Sequence, residues 1–415
     1  MAKKSESKRD GRSEDDGTSS HVHIPPKYLD NLKKYKYTGS DKSLFSRFLL
    51  QPYWNFIISL FPMTIAPNCI TFIGFVVGMS SFFINLYFFL FQNAEYPAWA
   101  WFYAAFSLFF YQTFDALDGK QARRTGTGSP LGELYDHGCD AFLTPFVQAN
   151  MALATNLDPA LTFAYVFFTS IGLFTAIWEQ YTTGTLDLGY ISGPVEGILL
   201  SCGMFCVSGF KSTAFWVQPL FAQPYTLPLP FAVDGHDTLT VSTCRDVILL
   251  FFFVSLFFTV LANLSHAITK PTVHASSWVA YRAALPTCVI TILHVVVYRM
   301  YPHVQAQYPF VFEFSYGLLI SQTVTRLTVS RLCIMPYRAF FFHYVLMLVV
   351  HLLAVANKVL SVMDSDTADQ VLGKSFFALA LLGAFCFLCL VLSVFRQLAD
   401  YLGINIMSIK KKKQN

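Results

Sequence analysis

About ten uninterrupted apolar runs, each near the ~20 residues needed to cross a bilayer, constrain this chain more than anything else in it. They fall at 66–90, 97–123, 131–155, 159–181, 194–210, 245–267, 279–299, 309–330, 337–357 and 374–400. The fifth is the shortest and the eighth the least hydrophobic. Only 13% of the 415 residues are charged, about half the share of a soluble chain. Phe alone supplies 43 residues. The chain is therefore expected to be an all-α, polytopic integral membrane protein of about ten transmembrane helices. The net charge of +4 says little about partners, and no nucleic-acid partner is expected. No cleavable signal peptide is visible, since Met1 to about Ser43 is polar.

The segments outside the runs divide the chain further. Residues 1–27 are expected to form a disordered N-terminus, being rich in Lys, Ser, Asp, Glu and Gly in their first 22 positions. Residues 28–65 form an interfacial amphipathic segment, with a helix over 44–62 lying along the membrane surface. Residues 66–210 hold the motifs described below, 211–403 carry further spans, and 404–415 form a basic tail. The nine cysteines are scattered and read as buried small apolar residues, because Cys386 and Cys389 have CxxC spacing but no second pair. His266, His294, His343 and His351 have no acidic partner nearby in sequence and read as structural or interfacial.

Charge asymmetry orients the spans. Lys120, Arg123, Arg124, Lys270, Arg331 and Arg338 fall on one side with both termini. The opposite loops hold little beyond Lys211, Lys358 and Arg299. Both termini are thus expected in the cytoplasm.

Residues 114–141, FDALDGKQARRTGTGSPLGELYDHGCDA, interrupt the apolar pattern with chemistry. Asp115 and Asp118 are three apart on a helix, and Asp136 and Asp140 four apart, so each pair shares a face. A short Gly-rich turn around Thr125–Ser129 makes the two helices antiparallel neighbours, and all four carboxylates can converge. Ionised carboxylates at membrane depth are expensive and repel one another. Divalent cations relieve both costs. An all-oxygen donor set favours Mg²⁺, Mn²⁺ or Ca²⁺ over zinc. Gly119, Ala122 and Gly132 leave room for a phosphate or nucleotide beside the carboxylates, and Arg123 can grip a phosphate. The assembly suits phosphoryl transfer. A cation transporter also places aspartates in membrane helices.

The full pattern Asp-x2-Asp-Gly-x2-Ala-Arg-x8-Gly-x3-Asp-x3-Asp is matched at all eight specified positions between Asp115 and Asp140. This stretch resembles the signature of the CDP-alcohol phosphotransferase family. KYKY at 34–37, APNCIT at 66–71, DGKQARRTGTGSPLGELYDHGCD at 118–140 and GPVEG at 193–197 are similar to the eukaryotic choline/ethanolamine phosphotransferases. The resemblance implies transfer of phosphocholine or phosphoethanolamine from CDP-choline or CDP-ethanolamine to the hydroxyl of diacylglycerol, with CMP leaving. It implies two Mg²⁺ or Mn²⁺ ions on Asp115, Asp118, Asp136 and Asp140, with Gly119, Ala122, Arg123 and Gly132 at the nucleotide. Asn68 is a further candidate for that pocket, and its alternative is an N-cap of the first span. Either His137 or Asp140 takes the hydroxyl proton. The resemblance pairs His137 with Glu196, with Glu179 as the runner-up. An inositol, glycerol phosphate or ceramide substrate is the alternative chemistry, and a homodimer is left open. Lys412 and Lys413 in the terminal KKKKQN match a dilysine signal for the endoplasmic reticulum, with the Golgi as a second destination, or a polybasic contact with anionic membrane lipids.

CDP-alcohols are charged and soluble, so the site must open to the cytoplasm. A cysteine placed at Thr127 is expected to react with an impermeant thiol reagent in sealed microsomes. Labelling only after permeabilisation would refute this topology.

Overall fold

A computed structural model describes residues 23–189, 192–233, 236–269 and 277–409. The expected disorder of residues 1–22 and the lysine run at 410–413 lie outside the described residues. Thirteen α-helices account for most of the chain: α1 (Pro26–Leu29), α2 (Gln51–Ser59), α3 (Pro67–Phe91), α4 (Ala98–Thr125), α5 (Pro130–Ala154), α6 (Pro159–Thr183), α7 (Ile198–Lys211), α8 (Cys244–Thr269), α9 (Ser277–Met300), α10 (Pro302–Gln307), α11 (Val311–Leu332), α12 (Phe342–Leu360) and α13 (Ser365–Leu402). Two short pairings complete it. β1 (Gly39–Asp41) runs parallel to β2 (Leu186–Leu188), and β3 (Tyr225–Val233) forms a hairpin with β4 (His236–Val241).

Ten of the helices correspond to the ten apolar runs. Their ends are written locally. Pro67, Pro130 and Pro159 stand in the first turns of α3, α5 and α6, where a missing N–H costs nothing. Ser129 and Asp158 cap α5 and α6 by accepting from Gly132 N and Leu161 N at 3.1 and 2.9 Å. Two boundaries moved. α12 starts at Phe342 rather than 337, and α13 starts at Ser365 rather than 374, because Asp364 caps it through Thr367 N at 2.9 Å. The surface helix resolves into a π-helical turn (Ser46–Leu50) followed by α2. Trp54 and Ile58 face inward, while Phe48, Leu49 and Phe56 are exposed. Residues 23–27, expected within the N-terminal disorder, are instead packed: Ile24 is fully buried and exchanges hydrogen bonds with the Gln397 side chain.

Seven helical segments are long and apolar enough to cross a membrane by length and composition: α3, α6, 193–211 ending in α7, α8, the 281–300 part of α9, α12 and α13. The other three long helices, α4, α5 and α11, are less apolar: α5 and α11 are buried over most of their residues, while α4 still exposes Trp99 and Phe106. α11 has the fewest apolar residues because it faces protein on every side: 19 of its 22 residues are buried. Its hydroxyls return to their own backbone, Thr323 to Leu319 O at 2.9 Å and Thr325 to Ser321 O at 2.8 Å. That satisfies polar groups where no water reaches. α11 packs on α5, α6 and α13, α3 on α4 and α5, and α7 on α4. By contrast α8 buries only Leu249, Asn263 and Ala267. The cysteine expectation is corrected here. All nine are free, but only Cys333 is buried, and Cys288 and Cys389 are exposed. Apolar runs on outer helices turn part of their surface outward, where a thiol costs little in contact with lipid.

Close approach of the inner helices rests on glycines. A Cβ on Gly74 of α3 would stand 2.8 Å from Phe114 Cβ of α4, and one on Gly317 of α11 would stand 2.7 Å from the Pro145 Cβ of α5. Ser321 Oγ of α11 also donates to the carbonyl of Ala141 in α5. Gly317→Val is therefore expected to push α11 off α5 and to destabilise the protein by about 1–3 kcal/mol, read as a lower melting temperature in detergent. An unchanged melting temperature would contradict this packing.

Candidate active site

The eight motif residues occupy the last turns of α4 and the first turns of α5. Gly126, at φ +66°, ends α4 in the left-handed conformation that glycine adopts without strain. The chain then turns back within three residues into the Ser129 cap of α5. This brings Asp115 of α4 beside Asp136 and Asp140 of α5, and one carboxylate oxygen from each lies within 4.8 Å of the others. Asp118 stands apart from that trio by its bonding: its carboxylate accepts the Thr71 hydroxyl of α3. Tyr111 OH donates to Asp140 Oδ1 at 2.5 Å. Asp115 Oδ1 and Asp136 Oδ1 are buried with no hydrogen-bond partner.

Those two orphaned oxygens test whether a cation belongs here. A buried carboxylate oxygen without a donor is costly, and three such groups at this spacing repel. A hard divalent ion satisfies both conditions, and the all-oxygen set is the kind that Mg²⁺ or Mn²⁺ prefers. The residues fit such an ion.

The remaining sequence candidates are placed as follows. Arg123 is exposed, and its Nη1 lies 3.5 Å from where a Cβ on Gly119 would be. Ala122 is half-buried on the same helix. Gly132 faces α3, and a Cβ there would be 3.7 Å from Asn68 Oδ1. Asn68 is not an N-cap: Ala66 holds that position without a side-chain bond. Instead Asn68 Nδ2 donates to the Ile406 carbonyl at 2.9 Å, fastening the segment after α13 over the start of α3. His137 lies between Asp136 and Asp140 in sequence, and its Nδ1 is buried without a partner. Glu196 makes no hydrogen bond to it. The Glu196 carboxylate accepts from the Ser43 hydroxyl and from Ser192 N at 2.8 Å. Glu179 contacts His266 Nδ1 at 2.9 Å, a partner 87 positions away that sequence reading could not see. With Asp187 these form a second group of potential ligands, separate from the aspartate trio.

Sequence reading also missed residues that hold the site in place. Glu133 lies one turn before His137 on α5 and is buried. It pairs with Arg331 of α11 and accepts from Gln180 Nε2 of α6 at 3.1 Å. Tyr35 lies against the same carboxylate, and Tyr37 faces Glu133, Asp136 and Arg123. The KYKY element therefore overlies the site. Residues 23–62 act as a strap around it: Thr38 Oγ1 donates to Gly184 O at 2.6 Å, and β1 pairs with β2. Lys120 Nζ donates to Gln51 Oε1 and Asn55 Oδ1 at 2.7 and 2.8 Å, and Gln121 Nε2 to Pro62 O at 2.9 Å. Spacing alone offered a signal only for Glu133, through its place on the face of His137.

The family model of CDP-alcohol phosphatidyltransferase matches residues 64–221, which contain both site helices. An uncharacterised CDP-alcohol phosphatidyltransferase class-I family protein of Schizosaccharomyces pombe is 42% identical over 48% of this chain and 52% of its own length. Choline/ethanolaminephosphotransferase 2 of Arabidopsis thaliana is 41% identical over 45% of this chain and 48% of its own. The chain thus spans about half the length of these two relatives. Choline/ethanolaminephosphotransferase 1 of Arabidopsis thaliana is 30% identical over 92% of this chain and 97% of its own.

Removing one partner of a buried ion pair leaves an uncompensated charge, at a cost of about 3–5 kcal/mol. Arg331→Met is expected to lower the melting temperature strongly, and adding Glu133→Leu should recover most of the loss. A double variant as unstable as the single one would show that the pair does not join α5 to α11.

Proposed function

The chain belongs to the CDP-alcohol phosphatidyltransferase family, and from that premise we propose that it transfers phosphocholine or phosphoethanolamine from the CDP-alcohol to diacylglycerol, releasing CMP. The observation that carries this reading is the convergence of Asp115, Asp136 and Asp140 from two antiparallel helices, with two carboxylate oxygens lacking any donor. Relatives whose names state choline or ethanolamine phosphotransfer support the choice of alcohol. The enzyme works in the endoplasmic reticulum membrane with its site open to the cytoplasm, a reading that rests on the charge asymmetry of the loops and on the lysine run at 410–413.

In this proposal Asp115, Asp118, Asp136 and Asp140 hold two Mg²⁺ or Mn²⁺ ions. When bound, such ions neutralise a pyrophosphate and make the phosphorus more electrophilic. Arg123, exposed beside Gly119, grips a phosphate oxygen of the nucleotide. Gly119, Ala122 and Gly132 keep the approach open, and Asn68 lines its far side against Gly132. The Thr71 hydroxyl holds Asp118, and the Tyr111 hydroxyl holds Asp140. The lipid hydroxyl attacks the phosphorus bearing the amino alcohol, the bond to the CMP oxygen breaks, and the hydroxyl proton must leave. His137 Nδ1 takes it: this atom has no competing partner, whereas one oxygen of Asp140 is already engaged by Tyr111. Glu196 acts by fastening the strap through Ser43, as its hydrogen bonds indicate.

Purified protein in detergent, given radiolabelled CDP-choline or CDP-ethanolamine with diacylglycerol, is expected to form the labelled phospholipid. EDTA should stop the reaction reversibly, and Asp136→Ala should abolish it. Formation of lipid only with ceramide in place of diacylglycerol, or only from a CDP-activated lipid with inositol or glycerol phosphate as acceptor, would move the enzyme to another chemistry of the family.

General-base help is worth about 10²–10⁴ in rate, so His137→Ala is expected to lower kcat by about that factor with CDP-choline affinity retained. Glu196→Gln should loosen the strap independently, and the two losses should multiply in the double variant. If the double variant is no slower than His137→Ala alone, the two residues act as one dyad instead. Near-parental turnover of His137→Ala would assign the proton to Asp140.

A further inference from the structure

Arg326 has no part in the chemistry above, and its surroundings ask for a ligand. It lies less than two turns before the end of α11, a helix buried on nearly every side. Its guanidinium carbon stands 4.5 Å from the centroid of the Phe341 ring. Its Nε is buried without a hydrogen-bond partner. Among the described residues, no carboxylate pairs with Arg326, whereas Arg331 on the same helix is neutralised by Glu133. A ring face attracts a guanidinium, but it accepts none of the in-plane N–H groups, which require oxygen acceptors. A cation held inside a membrane bundle is ordinarily paired.

A cavity of about 130 Å³ adjoins it, lined by Arg326, Arg338 and Ser330 together with the aliphatic side chains of Val329, Leu390 and Val394. Arg338 is exposed, so the cavity is reached from the surface. His23 and Tyr28, where the strap begins, also line it. This places it at the end of the bundle that carries the α4–α5 turn, since Arg331 reaches Glu133 from the same stretch of α11.

We propose that this cavity binds the phosphate of an anionic membrane lipid. Two guanidinium groups recognise phosphate oxygens through paired, charge-assisted hydrogen bonds. The aliphatic wall of Val329, Leu390 and Val394 favours an amphiphile over a free anion, because the first atoms beyond the headgroup also lose contact with water. The site is distinct from the aspartate cluster, and binding there does not depend on the reaction proposed for that cluster.

The full-length protein, purified in detergent and supplied with phosphatidate or phosphatidylcholine, is read by native mass spectrometry for retained lipid. Phosphatidate should be retained in preference to phosphatidylcholine. Arg338→Gln, a change at an exposed position that leaves the fold intact, should weaken retention about tenfold, the usual effect of losing one charge-assisted contact. Arg326→Met should abolish it. Equal retention by the parent and Arg338→Gln would overturn the proposal. So would displacement of phosphatidate by inorganic phosphate at equal concentration, which would make the ligand a soluble anion.

Discussion

Carboxylates brought together inside an apolar bundle set the terms for everything around them. Asp115, Asp136 and Asp140 gain nothing from their neighbours' charge, and a low-dielectric surrounding makes each of them more costly than in water. The architecture answers with hydroxyl donors on Asp118 and Asp140, from Thr71 and Tyr111. Two oxygens remain unsatisfied. A site built this way is preorganised for positive charge, because the helices meet at a distance fixed by packing rather than by the ligand. Gly74 and Gly317 let α3 come close to α4 and α11 close to α5, since any side chain at either position would collide with Phe114 or Pro145.

The same pressure explains where polarity sits elsewhere. α11 would make a poor lipid-facing helix, and it works as the buried hub because its hydroxyls bond to their own backbone and its Arg331 meets Glu133. That ion pair fixes α5 against α11 one turn from His137. α8 turns most of its surface outward, burying only Leu249, Asn263 and Ala267, and its few polar pairings to the interior, such as His266 with Glu179, lie near its end. Polarity inside and apolarity outside reverse the pattern of a soluble bundle, as expected when the solvent is hydrocarbon.

The strap of residues 23–62 turns a pair of helices into an enclosed site. It is held at many points by short polar contacts: Ser43 on Glu196, Thr38 on Gly184, β1 on β2, and Gln51 and Asn55 on Lys120. Tyr35 and Tyr37 are thereby brought to the carboxylate cluster from more than seventy residues away in sequence. The segment following α13 closes the opposite edge through Ile406 on Asn68. The first and last described segments thus both lie against the helices around the aspartate cluster, and the site is shared among distant parts of the sequence.

What the sequence determined by itself was local in kind. Helix number, most helix ends and the two-helix motif follow from hydrophobic length, proline and glycine placement and i, i+3 and i, i+4 spacing, all of which act within a few residues. The convergence of Asp115, Asp136 and Asp140 was legible because a short Gly-rich turn leaves antiparallel helices little freedom. Only the tertiary structure decided which groups complete the site. Glu196 went to Ser43, His266 found Glu179, and Asn68 served the carbonyl of Ile406 instead of capping α3. Each is a pairing between elements 80 to more than 300 residues apart. Such pairings depend on how whole helices rotate and cross, and side-chain packing across the bundle sets those angles. No local period in the chain encodes them.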